Sequence, residues 1–286
     1  MLQESGIDQI ETPKDVLPQF GAHLHDEQNL PDERGLHIDK VGVRNLRFPI
    51  EVRDRISITQ STIATIGMFV DLDQSFKGTH MSRFMEVLEQ YRGEITMRTI
   101  PTILEELKHC LDAESSRIEV TFPYFLERIA PVSGATALMD YECSFIGENI
   151  DGTKDFVLGV TVPVTSLCPC SKTISDYGAH NQRGYIKIET RSSDIVWIEE
   201  LIEIAEQSAS APVYSLLKRD DERFVTMQAY DNPVFVEDMV RNVAIKLRVD
   251  PRVNWYRVRA ENHESIHNHS AFAQVTWVRN KGSESD

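Results

Sequence analysis

The chain has 286 residues, 41% hydrophobic and 26% charged, which suits one large domain or two ordinary ones with a substantial core. Its formal net charge of −15 argues against broad nucleic-acid binding, which needs an excess of Lys and Arg. No apolar run approaches the length of a membrane-spanning helix, and the opening MLQESGIDQIETPKD lacks the apolar core of a secretory signal, so no membrane partner is expected and the cytoplasm is the expected compartment.

Residues 1–37 mix Pro, Gly and charge without periodicity and read as a poorly ordered tail. From residue 38 a pattern begins that runs twice. Strand-like alternation spans 41–52 and returns at Ile66, Met68, Val70 and Leu72. A helix follows, with Phe84, Val87, Leu88 and Tyr91 on one face and Gly93 as its stop. A second helix opens at Thr99 and Pro101 and faces Leu104, Leu107 and Leu111 inward. Two strands carry Ile118, Val120, Phe122 and then Met139, Tyr141, Cys143, Phe145. Asp151-Gly152 is a turn signal.

The order then repeats. Leu158, Val160, Val162, Val164 and later Ile186, Ile188 read as strands, and Ile198, Leu201, Ile202, Ala205 as a helix. A longer helix, 233–247, is expected to be capped by Asn232 with Pro233 first, its stripe running Val236, Met239, Val240, Val243, Ala244, Leu247. Trp255–Glu261 and Ala271–Val278 close the chain as strands. The predicted class is α+β: a unit at 38–152 and a second at 153–286, each ββααββ, with antiparallel sheets backed by helices. The second unit carries a Cys/His loop and an acidic insertion at 218–231. Open sheet edges are a liability, so closure into a barrel by oligomerisation is expected.

The stretch SLCPCSKTISDYGAHNQRG, 166–184, concentrates chemistry. Cys168 and Cys170 would share a side of an extended chain, and His180 follows twelve residues after Cys168, with Gly178 letting the loop bend back. Metal ligation, a thiol redox pair and an ordinary loop all remain open for this spacing. Four cysteines in a chain this long are not a disulfide framework. Cys110 and Cys143 fall in phase with apolar stripes and are expected in the core. His263, His267 and His269 crowd the segment ENHESIHNHS, suited to proton transfer, to ligation or to a plain polar turn. Asp220, Asp221 and Glu222 lie in KRDDERF, which by charge alone reads as a solvated loop. Glu237 lies beside the apolar stripe of its helix, half-sheltered. No P-loop, dinucleotide-binding glycine motif or G-x-S-x-G elbow is present.

Taken together, the 166–184 loop, KGTHMSRF (77–84), NPVFVEDMVR (232–241) and ENHESIHNH (261–269) resemble the GTP cyclohydrolase IB family, the metal-promiscuous second type of GTP cyclohydrolase I within the tunnelling-fold (T-fold) superfamily. The resemblance covers nearly everything from residue 38 onward. It implies tandem ββααββ units, a homotetramer with active sites between subunits, and conversion of GTP and water to 7,8-dihydroneopterin triphosphate and formate, the first step towards tetrahydrofolate. It implies a divalent metal (zinc, manganese or iron) on Cys168, His180 and Glu222. Glu237 falls on the purine-anchoring Glu, and His267 and His269 on the strand-linking histidines that would move protons. Cys170 would sit at the site as a second thiol. Lys172 and Arg183 are candidates for the triphosphate, with Arg83 and Arg241 as further cations.

That chemistry requires water made nucleophilic near neutral pH, which a metal with three protein ligands and an open position supplies. A carboxylate at Glu237 would match the paired donors of a guanine edge. Three competing readings stand: a closed structural zinc site on Cys168, Cys170, His267 and His269 without turnover, a Cys-x-Cys thiol oxidoreductase, and another purine or pterin enzyme of the superfamily.

Overall fold

The computed structural model describes residues 26–56, 59–92 and 94–279. Strands β1 (Ile38–Arg53) and β2 (Thr59–Leu72) precede helices α1 (Met81–Gln90) and α2 (Ile100–Leu111), and then strands β3 (Ser115–Ile129) and β4 (Thr136–Ile150). The second half runs β5 (Thr153–Leu167), α3 (Pro169–Ile174), β6 (Asn181–Ser192), α4 (Ile198–Glu206), β7 (Ala211–Pro212), α5 (Arg219–Asp231), α6 (Val236–Val249), β8 (Val253–His263) and β9 (Ser270–Val278).

One antiparallel sheet contains all these strands, in the order β1-β2-β3-β4-β5-β6-β8-β9, with β7 pairing β5 off that path. The two expected sheets are thus continuous. The join is the turn at Asp151-Gly152, where both residues have positive φ (50° and 78°), the conformation that suits a tight hairpin between twisted strands. Ile150 pairs with Thr153, and β5 lies directly against β4.

Period-two alternation decides which face is covered. On β3, Ser116, Ile118, Val120, Phe122 and Tyr124 are buried while Arg117, Glu119 and Thr121 alternate on the other face. The buried face receives the helices: α1 and α2 cover the β1–β4 half, α4 and α6 the β5–β9 half, and one apolar core runs beneath them. The α2 stripe is Ile100, Ile103, Leu104, Leu107 and Leu111. Cys143 is in the core as expected, and burial pushes its thiol pKa far up. Cys110 is not: it is exposed, one position off the buried stripe of α2.

Two helices differ from the sequence reading. The acidic insertion is helix α5, and Asp221 near its start is buried rather than solvated. It accepts hydrogen bonds from the Val132 and Ser133 N–H groups and the Lys218 N–H, each at 2.8 Å, and from the Ser133 hydroxyl at 2.6 Å. Burial opposes its charge, but these donors outweigh it and hold the carboxyl well below the usual carboxylate range. Helix α6 begins at Val236, not Pro233. Asn232 closes α5 through its N–H to the Gln228 carbonyl, and the Val234 N–H is committed to the Leu167 carbonyl. The N-cap of α6 is instead Phe235, whose N–H is taken at 3.1 Å by the carboxylate of Asp238 in the first turn.

Helix α4 carries two acids, Glu199 and Glu206, on its buried side. Tyr124 donates to Glu199 at 2.7 Å, and Tyr141 donates to Glu206 at 3.2 Å. Arg128 pairs with Glu206. Part of the expected tail is tied down: the Asp32 N–H reaches the Ser75 carbonyl at 3.1 Å and the Lys77 N–H the Leu30 carbonyl at 3.0 Å. Residues 1–25, and Gly93 with its expected role as a helix stop, lie outside the described residues. Among the described residues no helix is long and apolar enough to cross a membrane.

Candidate metal and substrate site

β5 delivers the Cys/His loop. Pro169, with its fixed φ and missing N–H, starts α3, and Cys168 becomes the helix N-cap. The Cys168 sulfur accepts the Ser171 N–H at 3.5 Å. The two cysteines therefore do not share a side of an extended chain. Cys168 is half-buried at the cap, whereas Cys170 is exposed on the first turn. The loop then returns through Gly178, whose φ of 148° is rarely open to other residues.

The return brings His180 back to Cys168. The Cys168 N–H donates to the His180 carbonyl at 3.1 Å, and the His180 N–H donates to the Ser171 hydroxyl, also at 3.1 Å. The imidazole is 14% exposed, enough shelter to fix its orientation while leaving an edge open. Its Nδ1 lies 2.9 Å from Gln182 Oε1, 3.5 Å from the Ser265 hydroxyl and 3.9 Å from Glu264.

The other expected residues are placed as follows. Glu222 is exposed on the first turn of α5. Among the described residues, no group of three or more His, Cys, Asp or Glu side chains is arranged to hold a metal. That holds for Cys168, His180 and Glu222, and for the closed set Cys168, Cys170, His267 and His269. Glu237 is exposed on the first turn of α6, not half-sheltered, and Arg241 follows one turn later, paired with Asp238 at 3.2 Å. His267 and His269 stack, ring centroids 5.1 Å apart, on the exposed loop between β8 and β9. His263 packs against Tyr185 at 5.3 Å.

The cations divide. Lys172 donates to the Tyr230 carbonyl and lies over the Tyr230 ring, so its ammonium ties α3 to the C-terminal end of α5. Arg83 donates to the Cys110 carbonyl at 2.8 Å and ties α1 to α2. Arg183 points to the open face of the sheet. There it lines a cavity of about 470 Å³ with Asp140, Glu142, Tyr185 and Tyr214.

The sequence reading missed the polar layer beneath the loop. Gln182 and Asn262 are buried, and both donate to the Ser166 hydroxyl, at 3.3 and 2.9 Å. Alternation held the signal: Gln182 precedes Gly184, Ile186 and Ile188 in the core-facing register of β6.

The chemistry of the two gathered donors suits a zinc-type ion. Cys168 is a free thiol already accepting an N–H, and His180 has its Nδ1 engaged, leaving Nε2 for ligation.

The profile of the family described as type I GTP cyclohydrolase folE2 matches residues 24–273. The chain belongs to that family. It is 56% identical over 254 residues to GTP cyclohydrolase FolE2 of Syntrophotalea carbinolica, covering 89% of this chain and 95% of the relative. To GTP cyclohydrolase FolE2 of Syntrophus aciditrophicus it is 56% identical over 250 residues, covering 87% and 98%. Among solved structures it resembles uricase from Arthrobacter globiformis, with a TM-score of 0.52 at 11% identity, over 87% of this chain and 96% of that one. At that identity the likeness is one of fold alone.

Proposed function

We propose that the protein is a GTP cyclohydrolase I, converting GTP and water to 7,8-dihydroneopterin triphosphate and formate in the first step of tetrahydrofolate biosynthesis. The observation that carries this reading is the Cys168–His180 loop, closed on itself by backbone hydrogen bonds, in a chain 56% identical to curated relatives of that name across nearly its whole length.

Cys168 and His180 would hold the divalent metal (zinc, manganese or iron), with Glu222 as third ligand. When bound, the metal would lower the pKa of a water enough to make hydroxide, the nucleophile that purine C8 requires, available near neutral pH. The remaining work falls to side chains. Glu237 would accept the guanine N1–H and 2-amino N–H together, which selects guanine over adenine. His267 and His269, stacked on their loop, would carry protons during ring opening and recyclisation. Cys170 would face the same site from α3. Arg183 on the open sheet face is the better-supported phosphate cation, because Lys172 is committed to Tyr230.

The sheet ends at β1 and β9, and we read these edges as closing against neighbouring copies into barrels of a homotetramer. In this reading 38–152 and 153–286 are tandem T-fold units, 1–37 is an N-terminal extension, active sites lie between subunits, and the enzyme is cytoplasmic.

The test is incubation of purified protein with GTP and Mn²⁺, Zn²⁺ or Fe²⁺, followed by oxidation and pterin fluorescence. Fluorescence is expected; none with any divalent metal overturns the reading. Mixed tetramers of Cys168→Ala and Glu222→Ala chains locate the third ligand. Activity above that of either parent means that the ligands come from two chains; none means that they come from one.

A further inference from the structure

The buried polar layer under the Cys/His loop ends on His180, and its wiring has a direction. The Ser166 hydroxyl has one proton, aimed at the Val234 carbonyl at 3.5 Å. Its lone pairs therefore take donors, and they receive the side-chain amide N–H groups of Gln182 and Asn262. Gln182 is 8% exposed and cannot reorient freely. With its NH₂ on Ser166, its carbonyl Oε1 faces His180 Nδ1 at 2.9 Å. The other groups facing that nitrogen agree, since Glu264 at 3.9 Å only accepts and the Ser265 hydroxyl at 3.5 Å is able to accept.

We infer that Gln182 is a positioning residue that keeps the proton on His180 Nδ1 and fixes the ring, so that Nε2 presents its lone pair to a divalent metal. This rests on the reading of His180 as a metal ligand. The ligating imidazole of a metal site ordinarily gives its other N–H to such an acceptor, and losing the acceptor weakens metal binding without removing a ligand. A neutral amide does this here from within the sheet, held in turn by Ser166. The layer also reaches α6: Val234, whose carbonyl takes the Ser166 proton, lies just ahead of the helix that carries Glu237.

The experiment measures zinc affinity of the full-length protein by competition with a chelator of known affinity, with thermal melting of the metal-free form as a check on folding. Gln182→Met, which keeps shape but removes the acceptor, is expected to bind zinc about 10–100-fold more weakly. Gln182→Glu, which restores an acceptor for Nδ1–H, is expected to return affinity to within about threefold of wild type, a loss smaller than the low end of that range. Wild-type affinity in Gln182→Met overturns the inference, as does an equal loss in both variants. If Gln182→Met does not fold, Ser166→Ala decides, since it frees the amide to flip: weakened zinc binding supports the inference and unchanged binding overturns it. His180→Ala separates the two levels of the argument. Unchanged affinity there removes His180 as a ligand and the inference with it, whereas lost affinity beside a wild-type Gln182→Met overturns the inference alone.

Discussion

Cys168 and His180, twelve residues apart in sequence, are joined through their main chains: the N–H of one donates to the carbonyl of the other at 3.1 Å. Neither side chain makes this bond, so the closure survives truncation of either one, although Cys168→Ala also removes the sulfur that takes the Ser171 N–H at the start of α3. Cys168→Ala and His180→Ala should therefore fold normally yet lose metal and activity together. The loss should exceed the roughly 100-fold upper range for removing an outer-shell partner. Metal analysis of protein purified without chelator, beside the fluorescence assay, checks this; either variant retaining full metal content contradicts the assignment.

Glu237→Ala should separate substrate binding from metal binding. In its proposed role the variant would lose two hydrogen bonds to a carboxylate, about 3 kcal/mol in all, which corresponds to roughly a 100-fold rise in KM for GTP. Metal content should match wild type, because Glu237 sits on α6 and the Cys/His loop on β5 and α3. A metal-free Glu237→Ala protein would show that the roles are wrongly divided.

Asp221 tests the support of its neighbour Glu222. Asp221→Ala leaves the Val132, Ser133 and Lys218 N–H groups without their shared acceptor and loosens the first turn of α5. Loss of such a capping interaction lowers Tm by about 2–4 °C in a chain of this size. Asp220→Ala, on the exposed side of the same turn, should melt with wild type. Equal melting of all three proteins by calorimetry would mean that the cap contributes nothing.

Glu206 gives a pH signature. Its burial raises the carboxyl pKa above the ordinary 4.5, against the pull of Arg128 and the Tyr141 hydroxyl. The folded state thus keeps this proton to higher pH than the unfolded chain. Its contribution is full below the unfolded value and is lost as pH rises through the folded one. The Tm of wild type minus that of Glu206→Gln should therefore decline as pH rises upward from about 4.5. A difference that stays flat or climbs over that range would refute the assignment.

Where one face of an element packs on the core, the sequence was easy to read. The alternation of β3 to β6, the α2 stripe with Pro101 in its first turn, and the turn at Asp151-Gly152 all follow from local periodicity and φ preference. Helix α5 was hidden because its large apolar residues, Phe224, Met227 and Tyr230, are exposed in the single chain and its first turn is acidic. The start of α6 was misplaced because Asn-Pro reads as a helix opening, whereas Asn232 ends the preceding helix. At the site, residue types marked the 166–184 loop as a place for chemistry but left its kind open, and only the family resemblance pointed to Cys168 and His180 within it. Pro169 turning the chain into α3, and so parting Cys168 from Cys170, is a matter of geometry that spacing does not carry. Gln182 and Asn262 were legible only as polar residues in a core-facing register, a signal that apolar patterns pass over.

The strand order has a consequence for how the protein is made. Apart from the short β7, each strand pairs with the one synthesised just before it, except that β8 must find β6 across the intervening helices. As the chain leaves the ribosome, the half ending at Ile150 can bury α1 and α2 against its own four strands before the Cys168 loop exists. The unpaired side of β6 must then wait until residues 253–263 arrive. That interval, when His180 is already made but its sheet is incomplete, is the stage of synthesis most exposed to misassembly.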